Sequence, residues 1–255
     1  MEFRSLMADE IECRVGQIAK NGSGLSLLLY KDARCDMNLL DEVLGTEDWQ
    51  CRYDVINGQL FCTVSVWSER HQEWVSKQDV GAPSNMEAEK GRASDAFKRA
   101  CFKLGIGREL YTAPRIWVYA QDRNGSVNCN IKPGKNGKPQ CYDEFSVSAI
   151  EVENHVIRRL EVRNDTSGKV VFSWLDPEYA ERMAVESMLN DVTAMAEELA
   201  QARGVDSTKV MEALMASAPV SSVMGADGVV RTAQQAQAMV GQLKAWIESV
   251  GKERK

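Results

Sequence analysis

The sequence predicts an α+β protein with an antiparallel β-β-β-α core, additional strands, and a small helical C-terminal module. Three observations predict it. Asn57-Gly58 stands between the alternating segments "CRYDVI" and "QLFCTVSVW", a strong short-range hairpin signal. One helix-length segment, "EKGRASDAFKRACFKLG", follows the third strand candidate and closes on glycine. From about Pro177 the composition turns to helix formers, "EYAERMAVESMLNDVTAMAEELAQARG". These place a mixed body at 1–176 and a helical module at 177–255.

In chain order, "IECRVGQIAKNGSGLSLLLY" reads as an opening segment, an "NGSG" turn and an apolar strand ending at Tyr30. "DMNLLDEVLG" reads as a short amphipathic helix, with Asp36 as N-cap, Met37, Leu40 and Leu44 on one face, and Gly45 at the stop. The hairpin follows, and "EWVSKQDVG" completes a three-stranded meander. A long helix is expected from about Asn85 to Leu104, then a strand at "RIWVYA". "QDRNGSVNCNIKPGKNGKPQCYDE" is rich in Gly, Asn, Pro and Lys and reads as an exposed loop. "FSVSAIEVE", "HVIRRLEVRN" and "KVVFSW" give further strands joined by "NH" and "DTSG" turns. The tail adds "DSTKVMEALMA", the small-residue linker "SAPVSSVMGADG", and a last helix from Thr232. Gln235 completes a capping-box pattern there, and the apolar stripe is Ala236, Met239, Val240, Leu243, Trp246, Ile247 and Val250.

Composition narrows the chemistry. The chain has 255 residues and a formal net charge of −6, so nucleic acid is not held by the surface as a whole. No apolar run is long enough for a membrane span, and the acid-bearing N-terminal stretch is not a signal peptide. Seven scattered cysteines without a C-x-x-C point to reduced structural thiols in a cytoplasmic protein, not to a disulfide framework or zinc module. Two histidines, His71 and His155, leave little for a histidine metal site or a catalytic triad. No metal or other cofactor is expected.

Against that acidic background the long helix collects cations. At 100° per residue, Phe97, Cys101, Leu104, Ala93 and Ala100 form one buried arc. Arg92, Arg99 and Lys103 share a band roughly 40° wide beside it, and Lys98 projects on the opposite flank. Such a stripe is either one wall of a phosphate-binding groove or a solvated face with ion pairs, for example Asp95 with Arg92 or Arg99. Gly105 falls where a left-handed cap would end the helix, and Gly107 where the chain turns into Arg108 and Tyr111. Glycines that end a helix do not make a nucleotide loop, which places them before one.

"SDAFKRACFKLGIGRELY" resembles the helix motif of the Rad-fifty-two superfamily of single-strand annealing proteins, nearest its phage-encoded and bacterial repair members. The resemblance continues upstream through Tyr30, Gly45 and Trp49, and through "KQDVGAP", covering about residues 15 to 120. It implies a β-β-β-α annealing core, assembly into a ring or helical filament, and ATP-independent annealing of single-stranded DNA in homologous recombination and repair. By the same resemblance Lys98 and Arg99 contact phosphates, supported by Lys20, while Tyr30 contacts sugar or base or simply ends its strand in the core. Lys103, Arg92 and Arg108 complete the expected DNA-binding set. A further basic position of the family, three residues after Arg99, is Phe102 here, for which Lys103 is the nearest substitute. The protein is then expected in the cytoplasm, that of the host if phage-encoded.

Other readings stay open beside it. The protein is a single-strand binder or recombination mediator that does not itself anneal, or, much less favoured by spacing, a metal-dependent nuclease using Asp79, Glu87 and Glu89 with Lys90. Trp67, Trp74 and Trp117 suit base stacking, but core packing is the preferred reading. Lys132, Lys135 and Lys138 make either a secondary DNA contact or a merely soluble loop. The C-terminal helices lack basic clustering, which points to assembly or to contact with a host protein such as a single-strand binding protein.

Overall fold

The computed structural model describes residues 2–82, 88–134 and 137–253, with the backbone alone at 88–90 and 253. The chain is mixed α+β with antiparallel sheets, and it divides into two compact units, Met1–Trp174 and Leu175–Lys255.

In the first unit, β1 (Glu12–Ile18) pairs antiparallel with β2 (Gly24–Tyr30), Glu12 facing Tyr30 across the register. Helix α1 (Ala33–Leu44) follows. It is capped by Asp32, whose carboxylate accepts from the Cys35 N–H at 2.8 Å, and not by Asp36. Asp36 lies one turn inside and is fully buried with Cys35, Leu39 and Leu40. The expected face was therefore misaligned: Met37 points outward, because the helix begins one turn earlier and the buried face is set by the Asp32 cap.

The meander forms as expected from β3 (Trp49–Ile56), β4 (Gln59–Ser68) and β5 (Glu73–Val80) in spatial order 3-4-5. Asn57 and Gly58 both take positive φ, 53° and 74°, the twist a two-residue hairpin turn requires. Strand alternation sends Cys62, Val64 and Val66 of β4 inward onto the next helix, α2 (Ala88–Leu104). Trp67 and Trp74, opposite each other in register, consequently fall on the other face. Trp74 is 42% exposed and meets Trp67 edge-on at 5.7 Å, so the core reading of these two is corrected. Trp117 is half-buried beneath the Arg115 guanidinium, 5.6 Å from its ring centre.

After a short 3-10 turn at Arg108–Thr112, β6 (Ile116–Tyr119) pairs with β2. The segment expected as an exposed loop instead folds: β7 (Ile131–Pro133) and β8 (Pro139–Cys141) make a small hairpin. Its base is held by buried Asn164, which donates to the Asn128 carbonyl and the Asp143 carboxylate, both at 2.8 Å. These partners are distant in sequence, which is why local composition missed them. Strands β9 (Phe145–Glu153), β10 (Val156–Asn164) and β11 (Lys169–Leu175) complete a six-stranded sheet ordered 11-10-9-1-2-6.

The second unit is helical: α3 (Pro177–Arg203), α4 (Ser207–Ala216), α5 (Ala218–Ser221) and α6 (Ala233–Glu253). The small-residue linker thus contains a helical turn at Pro219. Thr232 and Gln235 form the expected capping box, the Thr232 N–H donating to Gln235 Oε1 at 3.1 Å and the Gln235 N–H to Thr232 Oγ1 at 3.3 Å. Ala236, Met239 and Leu243 are buried, the latter two against Val192, Leu199, Val210 and Leu214. Among the described residues no helix is long and apolar enough to cross a membrane.

Candidate nucleic-acid interface

Helix α2 is set by packing first and charge second. Phe97, Ala100 and Cys101 are fully buried, and Phe97 meets the Trp49 ring at 6.1 Å. Ala96 is buried too, which widens the expected arc toward the cationic band. The cause lies at the end of β5. A Cβ on Gly81 would sit 2.9 Å from the Arg92 carbonyl carbon and 3.0 Å from the Ala96 nitrogen. Only glycine lets the strand press this closely on the helix. The Asp95 carboxylate accepts from the Ala82 N–H at 2.8 Å, fastening the same junction.

This approach brings Asp79 against the cationic band. Lys103 Nζ lies 3.2 Å from one Asp79 oxygen and Arg99 Nε 3.5 Å from the other, and Lys103 also donates to the Gln78 carbonyl at 2.6 Å. Burial alone would push the Asp79 carboxyl up, but the Val80 N–H, Lys103 and Arg99 more than offset it and hold it below the ordinary carboxylate value. Two cations thus face one carboxylate, and both cationic side chains remain about half exposed. Arg92 is half-buried, and its Nε has no hydrogen-bond partner among the described residues.

The opposite flank differs. Lys98 is half-buried, and its charge acts on Asp36 of α1. Asp36 is paired with Lys31, and both are buried. Burial pushes the Asp36 carboxyl up to about 6, against the pull of Lys31 and then of Lys98. Gly107, in the left-handed conformation at φ 71°, closes this pocket: a side chain there would run into the Lys31 stem. Gly105, at φ 114°, ends α2 as expected: its N–H donates to the Phe102 carbonyl at 3.1 Å and the Ile106 N–H to the Cys101 carbonyl at 3.3 Å, the pattern of a left-handed C-cap.

The remaining candidates are dispersed. Arg108 donates to the Phe102 and Lys103 carbonyls, both at 2.9 Å, and so caps α2. Lys20 is exposed on the β1–β2 turn, in the other sheet. Tyr30 ends β2 half-buried, with the Arg14 guanidinium 6.0 Å from its ring centre. The Glu12 carboxylate beside its hydroxyl, and then burial, push the Tyr30 phenol up to about 12. Tyr30 lines an open cleft of about 840 Å³ between β1 and β9, where Glu12 pairs with Ser146. Lys132 and Lys138 are exposed on β7 and just before β8, and Lys135 lies outside the described residues.

Burial pushes the thiols of Cys13, Cys35 and Cys129 up to about 12, the reverse of what a nucleophile needs. Of the nuclease candidates, Asp79 is engaged by Lys103 and Arg99, Glu87 lies outside the described residues, and the side chains of Glu89 and Lys90 are likewise undescribed. Among the described residues no three His, Cys, Asp or Glu side chains gather to hold a metal ion.

The chain is similar to two proteins named single-stranded DNA-binding protein DdrA. One, from Deinococcus radiodurans, is 39% identical over 94 residues, covering 36% of this chain and 44% of the relative. The other, from Deinococcus deserti, is 34% identical over 117 residues, covering 45% of this chain and 57% of the relative. The chain therefore spans about half the length of the curated relatives it matches. No protein-family model matches it, and no solved structure matches it significantly.

Proposed function

We propose that this protein binds single-stranded DNA in DNA repair and recombination, with the phosphate backbone running along α2. The likeness to two single-stranded DNA-binding proteins carries this reading. The excess of positive charge where Arg99 and Lys103 share Asp79 supports placing the track on that flank, within a chain whose net charge is −6. Lys98 adds a contact from the other flank, so the strand follows the exposed end of the helix or passes between subunits.

The finer reading is annealing: a Rad-fifty-two-type protein, assembled as a ring or filament, pairs complementary strands without ATP and without a cofactor. Annealing requires a track that holds the backbone, accessible bases and reversible contacts, and no acid or base. The body at 1–176 would then bind DNA and assemble, in the cytoplasm, while the helical module meets a host single-strand binding protein. A second reading, binding without annealing, is favoured by the relatives' own names, which state binding alone.

Annealing of complementary oligonucleotides by wild type and by Lys98→Ala/Arg99→Ala, with size followed by light scattering, tests the proposal. Rapid pairing without ATP by wild type and its loss in an equally large variant is the expected result. Binding without pairing selects the second reading. A variant as active as wild type removes α2 from the interface.

A further inference from the structure

The C-terminal end of α2 carries something other than charge. Phe102, half-buried, meets the ring of Tyr111 with centroids 4.7 Å apart and planes tilted by 56°. The Arg108 guanidinium lies 5.8 Å from the Phe102 ring centre, fixed there by its two bonds to main-chain carbonyls of α2. Lys98 precedes Phe102 by one helical turn on the same side of α2, and Lys103 lies on the flank that meets Asp79.

The turn that bears Tyr111 is held from both sides. Glu109 is 1% exposed, and its carboxylate accepts from the Leu6 N–H at 2.6 Å. The Thr112 hydroxyl donates to the Glu109 carbonyl at 2.7 Å and accepts from the Ile157 N–H at 2.9 Å. Leu110 packs against the main core. Tyr111 turns outward, 79% exposed. A single exposed aromatic is ordinary. An exposed ring on a braced turn, backed by a second ring and bordered by an immobilised guanidinium, is a preorganised planar surface about the size of one base.

We propose that Tyr111, supported by Phe102, is a stacking platform for a nucleobase of the bound single strand. This rests on the single-stranded DNA reading above and adds to it a contact with the base rather than the phosphate. Stacking on an aromatic side chain tolerates any base, since each has a π-face, so the contact fits a binder without sequence preference. Neighbouring cations place the strand's backbone within reach of the same ring. The small size of the patch suits one base and not a protein interface.

Fluorescence anisotropy with an oligothymidylate and a same-length abasic sugar-phosphate oligomer separates the two levels. Wild type is expected to prefer the base-bearing strand by about tenfold or more. Tyr111→Ala, which leaves the core untouched, should bind both strands alike, while Tyr111→Trp should restore the preference. A 2-aminopurine oligonucleotide should be quenched by wild type and less so by Tyr111→Ala. If wild type holds both strands equally, or if Tyr111→Ala keeps the full preference, the platform is overturned and single-strand binding stands. If wild type binds neither strand, both proposals fall together.

Discussion

The two flanks of α2 handle the same chemistry in opposite ways. On one, Arg99 and Lys103 meet Asp79 at the rim, half in solvent. On the other, Lys31 and Asp36 are paired in the interior, with Lys98 acting on Asp36 from the helix. Rim pairs in high dielectric contribute up to about 1 kcal/mol, whereas removing one member of a buried pair strands its partner at a cost of about 3–5 kcal/mol. Burial, and not the presence of cations, therefore decides that the interior Lys31–Asp36 pair holds the fold while the pairs at the rim stay open to a ligand.

Breaking the buried flank should have the largest effect. Asp36→Ala is expected to lower stability to urea by about 3–5 kcal/mol, because Lys31 is left unpaired in the interior. The double variant Lys31→Met/Asp36→Leu should recover most of that loss. A single variant within about 1 kcal/mol of wild type would place the pair in solvent and erase the contrast.

On the rim the expected effects are on binding. Arg99→Ala/Lys103→Ala should reduce the slope of log affinity for single strands against log salt by about 1.4, two phosphate contacts at about 0.7 each. An unchanged slope would mean that Asp79 occupies both cations fully. Asp79→Asn should do the reverse, raising low-salt affinity severalfold while costing up to about 1 kcal/mol of stability.

The flanks should also separate by the sign of their pH dependence. The Asp79 carboxyl is lowered in the folded state, so its contribution is present above the ordinary value of 3.8 and is lost as pH falls through the depressed one. The stability gap between wild type and Asp79→Asn should therefore close below about pH 4. The Asp36 carboxyl is raised, so the pH-dependent part of its effect is fully present below 3.8 and is lost as pH rises through about 6, leaving the cost of stranding Lys31 on top of it. Urea titrations across pH 3 to 7 would show the two trends; parallel trends would contradict the burial difference.

How much of this was legible depended on sequence distance. The Asn57-Gly58 hairpin, the Thr232–Gln235 capping box and the stripe of α6 are local, and they stand as read. The separation of Lys98 from Arg99 and Lys103 also followed from helical periodicity. Asp36 was misread because helix-start signals at Asp32 and Asp36 look alike until one of them is buried. The segment around Lys132 and Lys138 was misread because its anchor, Asn164, lies far along the chain.

What the sequence determined by itself is the α+β order of elements, the helical tail and the cationic character of α2, since each follows from spacing within a few residues. Only the tertiary structure decided that Asp79 meets Arg99 and Lys103, that Arg108 caps a helix, and that Lys31 and Asp36 are buried together. It also decided that Tyr111 is held outward against Phe102. These are contacts between separate elements, and their strength is set by how far packing excludes water from each charge and ring, a quantity no local pattern carries.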